Sequence, residues 1–456
     1  MKLLILTQKN RRALMILALA LLAGAAVSRL PFDGLSEAGR LTFGIFTMAA
    51  ILWVLEPFSL YVTSFIIVIL EVILLGRSGG PLGLTGSGYM IFLHPFFSSV
   101  VVLLLGGFVM AQAVKRYGID TWLSRKLLHR VGNRPAAVLL GMMVMCAFLS
   151  MWISNTATTA LMMAVAIPVV NTFPGNEPFR KAMILGIPFA SNIGGIGTPI
   201  GSPPNAIAMG FLEQSGHEMS FLGWMTIGVP IVLVLLLVCW LILYTMFKPK
   251  IEHVELEVSE EAESLDRRSV FIIVVFMLVV ALWLTSSLHG IPSSIVALIP
   301  FVIFFGLRLL DDDDLRELGW GILFIVGGGM SLGVAMKESG LSSWMVSQID
   351  FAAMGTLGIL FLFAAVAALM TTFISNSATA NLLLPIVIGI AAVSPVSSAL
   401  VVAIVSSAAM ILPVSTPPNA IAYGSGHVTV RDMAGAGTVV TAVSLVFVTL
   451  VVYFLF

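Results

Sequence analysis

Apolar stretches about as long as a bilayer is thick recur along the whole chain, and they restrict its fold more than any other feature. The sequence has 456 residues, of which 59% are hydrophobic and 10% charged, whereas soluble domains carry about 25% charged residues. Its mean hydropathy is +1.07. A helix of about 20 apolar residues crosses the hydrocarbon core, and the runs lack the alternation of a membrane β-strand. The sequence therefore predicts an all-α polytopic membrane protein.

Eleven of these stretches are predicted to be transmembrane helices. They lie near residues 13–31, 40–55, 58–76, 94–114, 182–212, 223–247, 269–288, 292–309, 318–336, 398–424 and 436–456. The first one follows basic residues, as the core of a secretory signal does, but it is longer than such a core. It is therefore interpreted as an uncleaved first span.

The distribution of Lys and Arg gives the orientation, because cytoplasmic loops carry an excess of these residues. The loop 115–134 contains six of them, whereas 32–39, 213–222 and 286–291 contain none. The loops alternate in this way along the chain, as eleven crossings require. The sequence predicts a multi-pass protein of the cell inner (plasma) membrane, with a cytoplasmic N-terminus and an extracytoplasmic C-terminus.

Three sequence blocks occur twice in the same order. The pairs are "LLLGGFVMAQAVKRYGIDTW" (103–122) with "FIVGGGMSLGVAMKESGLSSW" (324–344), "ISNTATTALMMAVAIP" (153–168) with "ISNSATANLLLPIVIG" (374–389), and "GTPIGSPPNAIAMG" (197–210) with "VSTPPNAIAYG" (414–424). The basic loop 115–134 has a counterpart, 337–350, that carries only Lys337, and five predicted crossings separate the two loops. The halves are therefore predicted to be inverted repeats. Inverted repeats with broken helices are typical of secondary transporters, whose binding sites lie at the repeat interface.

The repeat divides the chain into four predicted parts. Residues 1–93 form N-terminal spans that are mostly scaffold, 94–247 form repeat 1, 248–268 form a cytoplasmic linker, and 269–456 form repeat 2. Within each repeat, polar residues interrupt the apolar pattern in two segments.

Two further apolar stretches, 136–171 and 351–394, are each interrupted midway by a polar hexamer, "SNTATT" at 154–159 and "SNSATA" at 375–380. Each arm of the first has roughly 17 residues, about 25 Å of helix. Two arrangements fit: two short spans with the hexamer outside the membrane, or a re-entrant hairpin with the hexamer at mid-depth. Non-helical backbone at that depth is tolerated only where protein or a watery cavity surrounds it. Hairpins from opposite faces would bring the two hexamers together.

The residue types in the hexamers suit ions. Ser, Thr and Asn offer oxygens to a cation and O–H or N–H groups to an anion. Ser150 and Thr371 lie four residues before Ser154 and Ser375, on the same helical face. The segments free of His and charged residues are 136–171, 182–212, 351–394 and 398–424. An anionic substrate would therefore be held by neutral dipoles and helix N-termini, and co-bound Na+ would supply the missing positive charge.

The predicted spans 182–212 and 398–424 contain "GGIGTPIGSPPN" (194–205) and "LPVSTPPN" (412–419). Consecutive prolines remove N–H donors and break a helix, and glycine permits a tight or left-handed backbone. Each span is therefore predicted to be a broken helix with free carbonyls on one side and free N–H groups on the other. Each hexamer thereby gains one broken helix as its partner.

Simpler interpretations exist for several polar residues. A single SNT in a membrane helix is more typical of helix packing, and only the matched duplication favours a site. The run Asp311–Asp314 is interpreted as a solvated loop rather than a Ca2+ site. Glu56 and Glu71 are interpreted as interfacial or helix-packing residues, with proton coupling at Glu71 as the minor alternative.

Other function classes find little support. The net charge of zero gives no indication of nucleic acid binding, and Cys146 and Cys239 lie in apolar runs as structural thiols. An intramembrane enzyme would need an HExxH motif, a buried Asp pair or a Ser–His set within the spans, and none is visible. A cation/proton antiporter would need a buried acid at the broken helices, which these segments lack. The sequence thus favours a transporter and not an enzyme.

The paired SNT-type motifs, each followed by a helix broken at PPN, resemble the divalent anion/sodium symporter family, the INDY-type transporters. This resemblance implies eleven spans and two re-entrant hairpins per protomer. It also implies a homodimer in which a scaffold domain supports a mobile transport domain, with elevator-type alternating access. Its members move dicarboxylates, tricarboxylates or sulfate, most bacterial ones with Na+ and some as sodium-independent exchangers. The expected function is therefore Na+-coupled symport of a C4-dicarboxylate such as succinate.

The resemblance also implies roles for individual residues. The implied substrate contacts are Ser154, Asn155, Thr156, Ser375, Asn376, Ser377, Thr416 and Pro417. The implied first sodium site is Ser150, Ser154, Asn155 and Gly201, and the second is Thr371, Asn376, Ser377 and Ser415. The second motif ends in Ser377 where the family pattern has Thr. This change keeps the hydroxyl and removes a methyl group, and it leaves the preferred anion open.

Overall fold

The computed structural model describes residues 8–128, 131–254, 265–351 and 354–456. Within these ranges the protein is helical and contains no β-strand. The helices up to the linker are α1 (Gln8–Val27), α2 (Glu37–Leu55), α3 (Leu60–Leu74), α4 (Ser99–Arg116), α5 (Ile119–Leu128), α6 (Pro135–Ser150), α7 (Asn155–Asn171), α8 (Phe179–Gly195), α9 (Pro203–Gln214) and α10 (Phe221–Met246).

The second half repeats the pattern of long and short helices. Its helices are α11 (Arg267–Leu284), α12 (Ser286–His289), α13 (Ser293–Val296), α14 (Leu298–Gly306), α15 (Asp312–Glu317), α16 (Trp320–Glu338), α17 (Leu341–Ser347), α18 (Gly355–Phe373), α19 (Asn376–Val387), α20 (Pro395–Ser407), α21 (Pro417–Gly424) and α22 (Val430–Leu455). Short 3-10 turns lie at Gly88–Phe92, His94–Phe97 and Pro413–Ser415. Of the predicted linker 248–268, residues 255–264 lie outside the described ranges.

Eight helices in the described ranges are long and apolar enough to cross a membrane. Seven of them coincide with predicted spans, and the eighth, Gly355–Phe373, is the first arm of the predicted hairpin 351–394. The other four predicted spans, 58–76, 182–212, 292–309 and 398–424, are folded as shorter helices or helix pairs. The chain is thus a polytopic helical membrane protein. The total of eleven crossings stays a prediction, because it depends on how the short helices sit in the bilayer.

Both hexamers form the starts of helices. The arms of the first predicted hairpin are α6 and α7, and those of the second are α18 and α19. Ser154 Oγ accepts a hydrogen bond of 3.2 Å from Ala157 N, and Ser375 Oγ accepts one of 3.2 Å from Ala378 N. A Ser side chain in this position satisfies one of the N–H groups that a helix N-terminus leaves free. Each SN pair is therefore an N-cap followed by the first helical residue.

The two PPN motifs break helices as the sequence predicts. The chain leaves the helix after Gly195 and after Ser407, and α9 and α21 begin at the first proline of each motif. Proline suits this position because the N–H that it lacks would have no helical partner there. The backbone between α8 and α9 is therefore non-α-helical and buried inside the protein, whereas the break between α20 and α21 contains the 3-10 turn Pro413–Ser415 and is exposed at Val414.

The Asn of each PPN motif holds the break together. Asn205 Nδ2 donates to the carbonyls of Gly195 and Thr198, both at 2.8 Å. Asn419 Nδ2 donates to the carbonyls ten and seven residues before it, those of Ala409 at 3.2 Å and Leu412 at 3.0 Å. The same side chain thus ties the same two points of the backbone in both repeats.

The packing of the helices is also duplicated. Helix α6 packs against α8 as α18 packs against α20, and α10 packs against α8 as α22 packs against α20. The second halves of the broken helices exchange partners: α9 packs against α19 and α20, and α21 packs against α7 and α8. Both repeats therefore contribute to one interior rather than to two separate bundles.

The acidic run at residues 311–314 is solvent-exposed at Asp311, Asp312 and Asp313, as predicted, but it forms the start of a short helix rather than a loop. Asp311 is the N-cap of α15 and accepts from the backbone N–H of Asp313 and Asp314, while Asp314 accepts in return from Asp311 N at 2.9 Å. Asp314 is only 7% exposed. Arg116, at the end of α4, pairs with both Asp311 and Asp314. The prediction of a loop was wrong because the cation that stabilises the run lies about 200 residues earlier in the chain.

Replacing Arg116 should lower the stability of the protein more than replacing Arg316. Arg116→Gln leaves the buried Asp314 carboxylate without its cation and should lower the free energy of unfolding by about 1–3 kcal/mol. Arg316 pairs with Asp313 at 2.7 Å, but both side chains are largely exposed, 78% and 85%. Arg316→Gln should therefore change it by less than about 1 kcal/mol. Thermal unfolding in detergent compares the two, and equal losses would contradict the pairing.

The same cluster gives an expected dependence on pH. The hydrogen bond from Arg116 holds the pKa of Asp311 below its ordinary value. A carboxyl group with a lowered pKa stabilises the folded state above its unfolded pKa, and that contribution is lost as the pH falls through the folded pKa. The difference in melting temperature between wild type and Arg116→Gln should therefore shrink below about pH 4. A difference that grows on acidification would contradict this sign.

Candidate functional site

The first hexamer and the first broken helix form a cluster of oxygen atoms, here called the first cradle. Ser150 Oγ lies 2.6 Å from Asn155 Oδ1. A Cβ atom built on Gly195 would lie 2.6 Å from Asn155 Oδ1 and 2.9 Å from the carbonyl oxygen of Gly201. One built on Gly201 would lie 2.6 Å from the carbonyl oxygen of Gly195 and 3.1 Å from that of Ser150. The two glycines thus leave a small space surrounded by neutral oxygens.

The second hexamer and the second broken helix form a similar cluster, the second cradle. Thr371 Oγ1 lies 2.7 Å from Asn376 Oδ1 and 2.9 Å from the carbonyl oxygen of Ser406. Ser415 Oγ donates to the carbonyl of Thr372 at 2.8 Å. Of the sodium-site residues implied for this half, Thr371 and Asn376 are therefore bonded directly, and Ser415 is bonded to the residue that follows Thr371.

The two cradles differ at one position. Asn205 binds the carbonyl of Gly195, and Asn419 binds that of Ala409, so these two residues correspond. Ala409 carries the Cβ atom that Gly195 lacks. Since a Cβ on Gly195 would touch Asn155 Oδ1, the space beside the Asn side chain is not the same in the two halves.

Neutral oxygens of this kind suit Na+. Unwound backbone carbonyls and helix ends coordinate Na+ in secondary transporters. The described residues contain no group of three or more His, Cys, Asp or Glu that could hold a metal ion. Both cradles fit the donor set that Na+ needs, since each combines backbone carbonyls, a hydroxyl and an Asn amide oxygen.

Three hydroxyl groups keep a hydrogen for another molecule. Ser154 and Ser375 each accept a bond from a backbone N–H of their own helix. Thr416 Oγ1 accepts from Asn419 N at 3.3 Å and from Asn192 Nδ2 at 3.2 Å. In these contacts each oxygen is an acceptor, so each hydroxyl hydrogen remains available to donate. Donors at the N-termini of helices are the groups that bind an anion.

These donors lie around the two breaks. Helix α7 packs against α21, and Ser415, the residue before Thr416, is bonded to the end of α18. Ser154, Thr156 and Pro417 are exposed, Asn155, Ser375 and Asn376 are half-buried, and Ser377 and Thr416 are buried. The structure therefore packs α7, which begins in the first hexamer, against α21, which begins in the TPPN motif, and Ser415 is bonded to the end of α18, just before the second hexamer. It shows no hydrogen bond made by the side chains of Thr156 or Ser377.

Two polar links join the repeats, and neither was predicted from the sequence. Asn192 in α8 donates to Thr416 Oγ1 and, at 3.3 Å, to Asn419 Oδ1. The Oγ atoms of Ser202 and Ser407 lie 2.9 Å apart and form a second link between the repeats. A polar residue in an otherwise apolar span was the available signal for Asn192. The Asn of PPN lies in both repeated blocks, but no local sequence pattern indicates that it ties the break.

The sequence as a whole matches a known family. That family is described as the sodium:sulfate symporter transmembrane region, and the match covers residues 9–455. The chain belongs to this family. The resemblance to the divalent anion/sodium symporters is thereby confirmed, and so is the interpretation of the chain as a membrane transporter and not an enzyme.

Individual proteins of this kind are similar over most of the chain. The sodium-dependent dicarboxylate transporter SdcS of Staphylococcus saprophyticus is 30% identical over 462 residues, which cover 93% of this chain and 87% of that protein. The protein of the same name from Staphylococcus aureus (strain bovine RF122 / ET3-1) is 30% identical over 396 residues, covering 78% and 76%.

One solved structure supports the fold. The crystal structure of the YdaH transporter of Alcanivorax borkumensis matches with a TM-score of 0.55 over 81% of this chain and 89% of that one. The sequence identity is 14%, so the likeness concerns the fold alone. It agrees with a polytopic helical membrane protein for this member of the family.

Adding a methyl group at Gly195 should disturb the first cradle. In Gly195→Ala the new Cβ would meet Asn155 Oδ1 and the Gly201 carbonyl. Overpacking of this kind costs about 1–3 kcal/mol, against a gain of about 1 kcal/mol in helix propensity. The control Gly358→Ala meets only Met354 Cβ, at 3.6 Å, and should keep the propensity gain. Thermal unfolding should rank Gly195→Ala below the control, and the reverse order would contradict the close approach.

Proposed function

We propose that the protein is a secondary active transporter that couples Na+ to the uptake of a divalent anion, a C4-dicarboxylate such as succinate. The observation that carries this proposal is the pairing of three free hydroxyl donors with two neutral oxygen cradles in one interior. The names of the two SdcS relatives, sodium-dependent dicarboxylate transporters, support the choice of ion and substrate. Sulfate is the second candidate, because the family is described as sodium:sulfate symporters. A tricarboxylate, or sodium-independent exchange of a dicarboxylate, would be a variant of the same site.

The proposed site divides the work between the two ends of one anion. Ser154, Asn155 and Thr156 would bind one carboxylate, and Ser375, Asn376 and Ser377 would bind the other. Thr416 and Pro417 lie at the start of α21, where the helix N-terminus favours negative charge. Each oxygen of the anion would thereby meet a hydroxyl or amide donor in place of water.

Na+ ions bound in the two cradles would supply the positive charge that the protein itself lacks. The proposed ligands of the first Na+ are Ser150, Ser154, Asn155 and Gly201, and those of the second are Thr371, Asn376, Ser377 and Ser415. Because Asn155 and Asn376 belong to both a cradle and the anion site, binding of the cation orders a side chain that the anion also needs. Na+, when bound, lowers the electrostatic cost of placing a dianion in the membrane interior. Coupling follows from these shared residues.

The movement that we propose is elevator-type alternating access in a homodimer. The proposed architecture has eleven spans, two re-entrant hairpins (136–171 and 351–394) and a scaffold that includes residues 1–93. Asn192 and Ser407 join the broken helices 182–212 and 398–424 to each other by hydrogen bonds. Thr198 and Ser415 bond them to the hairpins, so the four segments would travel together. The proposed orientation in the plasma membrane places the N-terminus and the linker 248–268 in the cytoplasm.

Uptake into proteoliposomes tests the proposed function. Purified protein is reconstituted, and labelled succinate, citrate or sulfate is added with an inward Na+ or K+ gradient. The expected result is succinate uptake with Na+ and not with K+. Uptake that ignores Na+ but needs internal dicarboxylate would replace symport by exchange. Transport of none of the three anions would refute the proposal.

The two Asn residues of the hexamers should be essential. Asn155→Ala and Asn376→Ala each remove an oxygen from a cradle and an amide from the anion site, so each should abolish Na+-dependent uptake. The control is Asn171→Ala, which changes an exposed Asn at the end of α7 and should leave uptake intact. Size-exclusion chromatography checks that the variants remain folded. Normal transport by both hexamer variants would remove the proposed site.

Substrate preference should respond to the methyl group that Ser377 lacks. Ser377 is 9% exposed, so Ser377→Thr adds a methyl group in a confined space while keeping the hydroxyl. Na+-dependent uptake should persist, and the ratio of kcat/KM for succinate over citrate should rise by up to about tenfold. The matched change Thr156→Ser, in the other repeat, should lower this ratio. An unchanged ratio in both variants would show that these positions do not select the anion.

A further inference from the structure

A buried carboxyl group lies outside the proposed anion and cation sites. Glu71 belongs to α3 and is 0% exposed. Its Oε2 is within hydrogen-bond distance of Ser331 Oγ in α16. Its Oε1 is buried and has no hydrogen-bond partner among the described residues. No ion pair formed by the residues that the structure describes includes Glu71.

The single hydrogen of the Ser331 hydroxyl indicates the protonation state of Glu71. Ser331 Oγ also lies 2.8 Å from the carbonyl oxygen of Phe92. A hydroxyl has one hydrogen, a carbonyl only accepts, and an ionised carboxylate only accepts. If Glu71 were ionised, one of the two contacts of Ser331 would join two oxygens with no hydrogen between them. If Glu71 carries a proton, its O–H donates to Ser331 Oγ, and Ser331 donates to Phe92. Both contacts are then hydrogen bonds.

The surroundings of Glu71 offer no other source of a hydrogen or a positive charge. Helix α3 packs against α2, α16 and the turn Gly88–Phe92. The titratable groups of these elements and of the residues next to them are Glu37, Arg40, Glu56, Tyr61, Arg77, Tyr89, His94, Lys337 and Glu338. They stand near the ends of their elements, and Lys337 Nζ donates to the carbonyl of Gln214 at 2.9 Å. The hydroxyls of Thr63 and Ser64 on α3 lie about 10 Å or more along the helix from Glu71. A charged carboxylate buried without a partner is unfavourable, and such a group becomes neutral instead.

We propose that Glu71 is a resident proton-binding site, a neutral carboxylic acid that ties α3 to α16 and to the turn at Phe92. The proton stays in place and takes no part in ion coupling. Helix α16 also packs against α9 and α19, with Gly333 against Phe211 and Gly329 against Asn381. The neutral acid therefore stabilises the position of α16, against which α9 and α19 of the proposed transport site pack. This inference does not depend on which anion the protein carries.

Infrared spectroscopy tests the protonation state directly. The full-length protein in detergent at pH 7 is compared with Glu71→Gln. The wild-type-minus-variant difference spectrum should contain the carbonyl stretching band of one protonated carboxylic acid. Ser331→Ala removes the acceptor of that proton and should shift the band. Carboxylate stretching bands in place of the acid band would overturn the proposal.

The effect on stability gives an independent test. Gln has the shape of a neutral carboxylic acid and can donate to Ser331, so Glu71→Gln should keep the melting temperature within about 2 °C of wild type and keep the Na+ dependence of uptake. The control is Asp314→Asn, which neutralises the buried partner of Arg116 and should lower the melting temperature. A loss of stability in Glu71→Gln as large as in the control would show that Glu71 is ionised. Loss of uptake with unchanged stability would show that its proton takes part in transport.

Discussion

Within a bilayer, a helix can be interrupted only where the freed backbone groups find partners inside the protein. Asn205 and Asn419 meet this condition, since each donates two hydrogen bonds to carbonyls at the start and the middle of its break. The rest of the candidate site depends on these bonds. They leave the carbonyls of Gly195 and Gly201 beside Asn155, and they fix where α9 and α21 begin. The hydroxyl donors at the helix starts can then point toward a ligand.

Duplication explains why the site is made of two halves, and small differences between the copies explain why the halves are not equal. The hydrogen bonds of Ser150 with Asn155 recur between Thr371 and Asn376 with almost the same length. At the next position of the cradle, however, one repeat has Gly195 and the other has Ala409. A cation would therefore find more room in the first cradle than in the second. Two ions bound to such sites need not have the same affinity, even though the backbone around them follows one plan.

Much of the fold could be predicted from the sequence because local patterns determine it. Apolar length located most of the spans, and PPN located both breaks. The expectation that Ser154 and Ser375 share a helical face with Ser150 and Thr371 was wrong, because the first arm ends before each Ser, which is the N-cap of the next helix. The span 292–309 proved to be two helices, α13 and α14, and the span 58–76 proved to be the 15-residue α3. The acidic run 311–314 was misjudged because its cation comes from α4. The number of crossings, the hairpin depth, the inversion and the dimer concern the chain in its bilayer, and they stay predictions.

Individual site residues could be predicted only where a repeated motif named them. Asn155 and Asn376 stand out because they occur in matched hexamers. Asn192 and Ser407 have no matched partner in sequence, since their contacts cross from one repeat to the other. Such contacts depend on how distant segments meet in space, and a single sequence does not reveal them.

The links between the repeats have a consequence for how the two copies can change over generations. Asn192 of the first copy is bonded to Thr416 and Asn419 of the second, and Ser407 of the second is bonded to Ser202 of the first. Each copy therefore completes the polar interior of the other. A change at one of these positions would leave a buried polar group of the other copy without its partner. Substitutions at these linked positions are therefore expected to occur together in both halves.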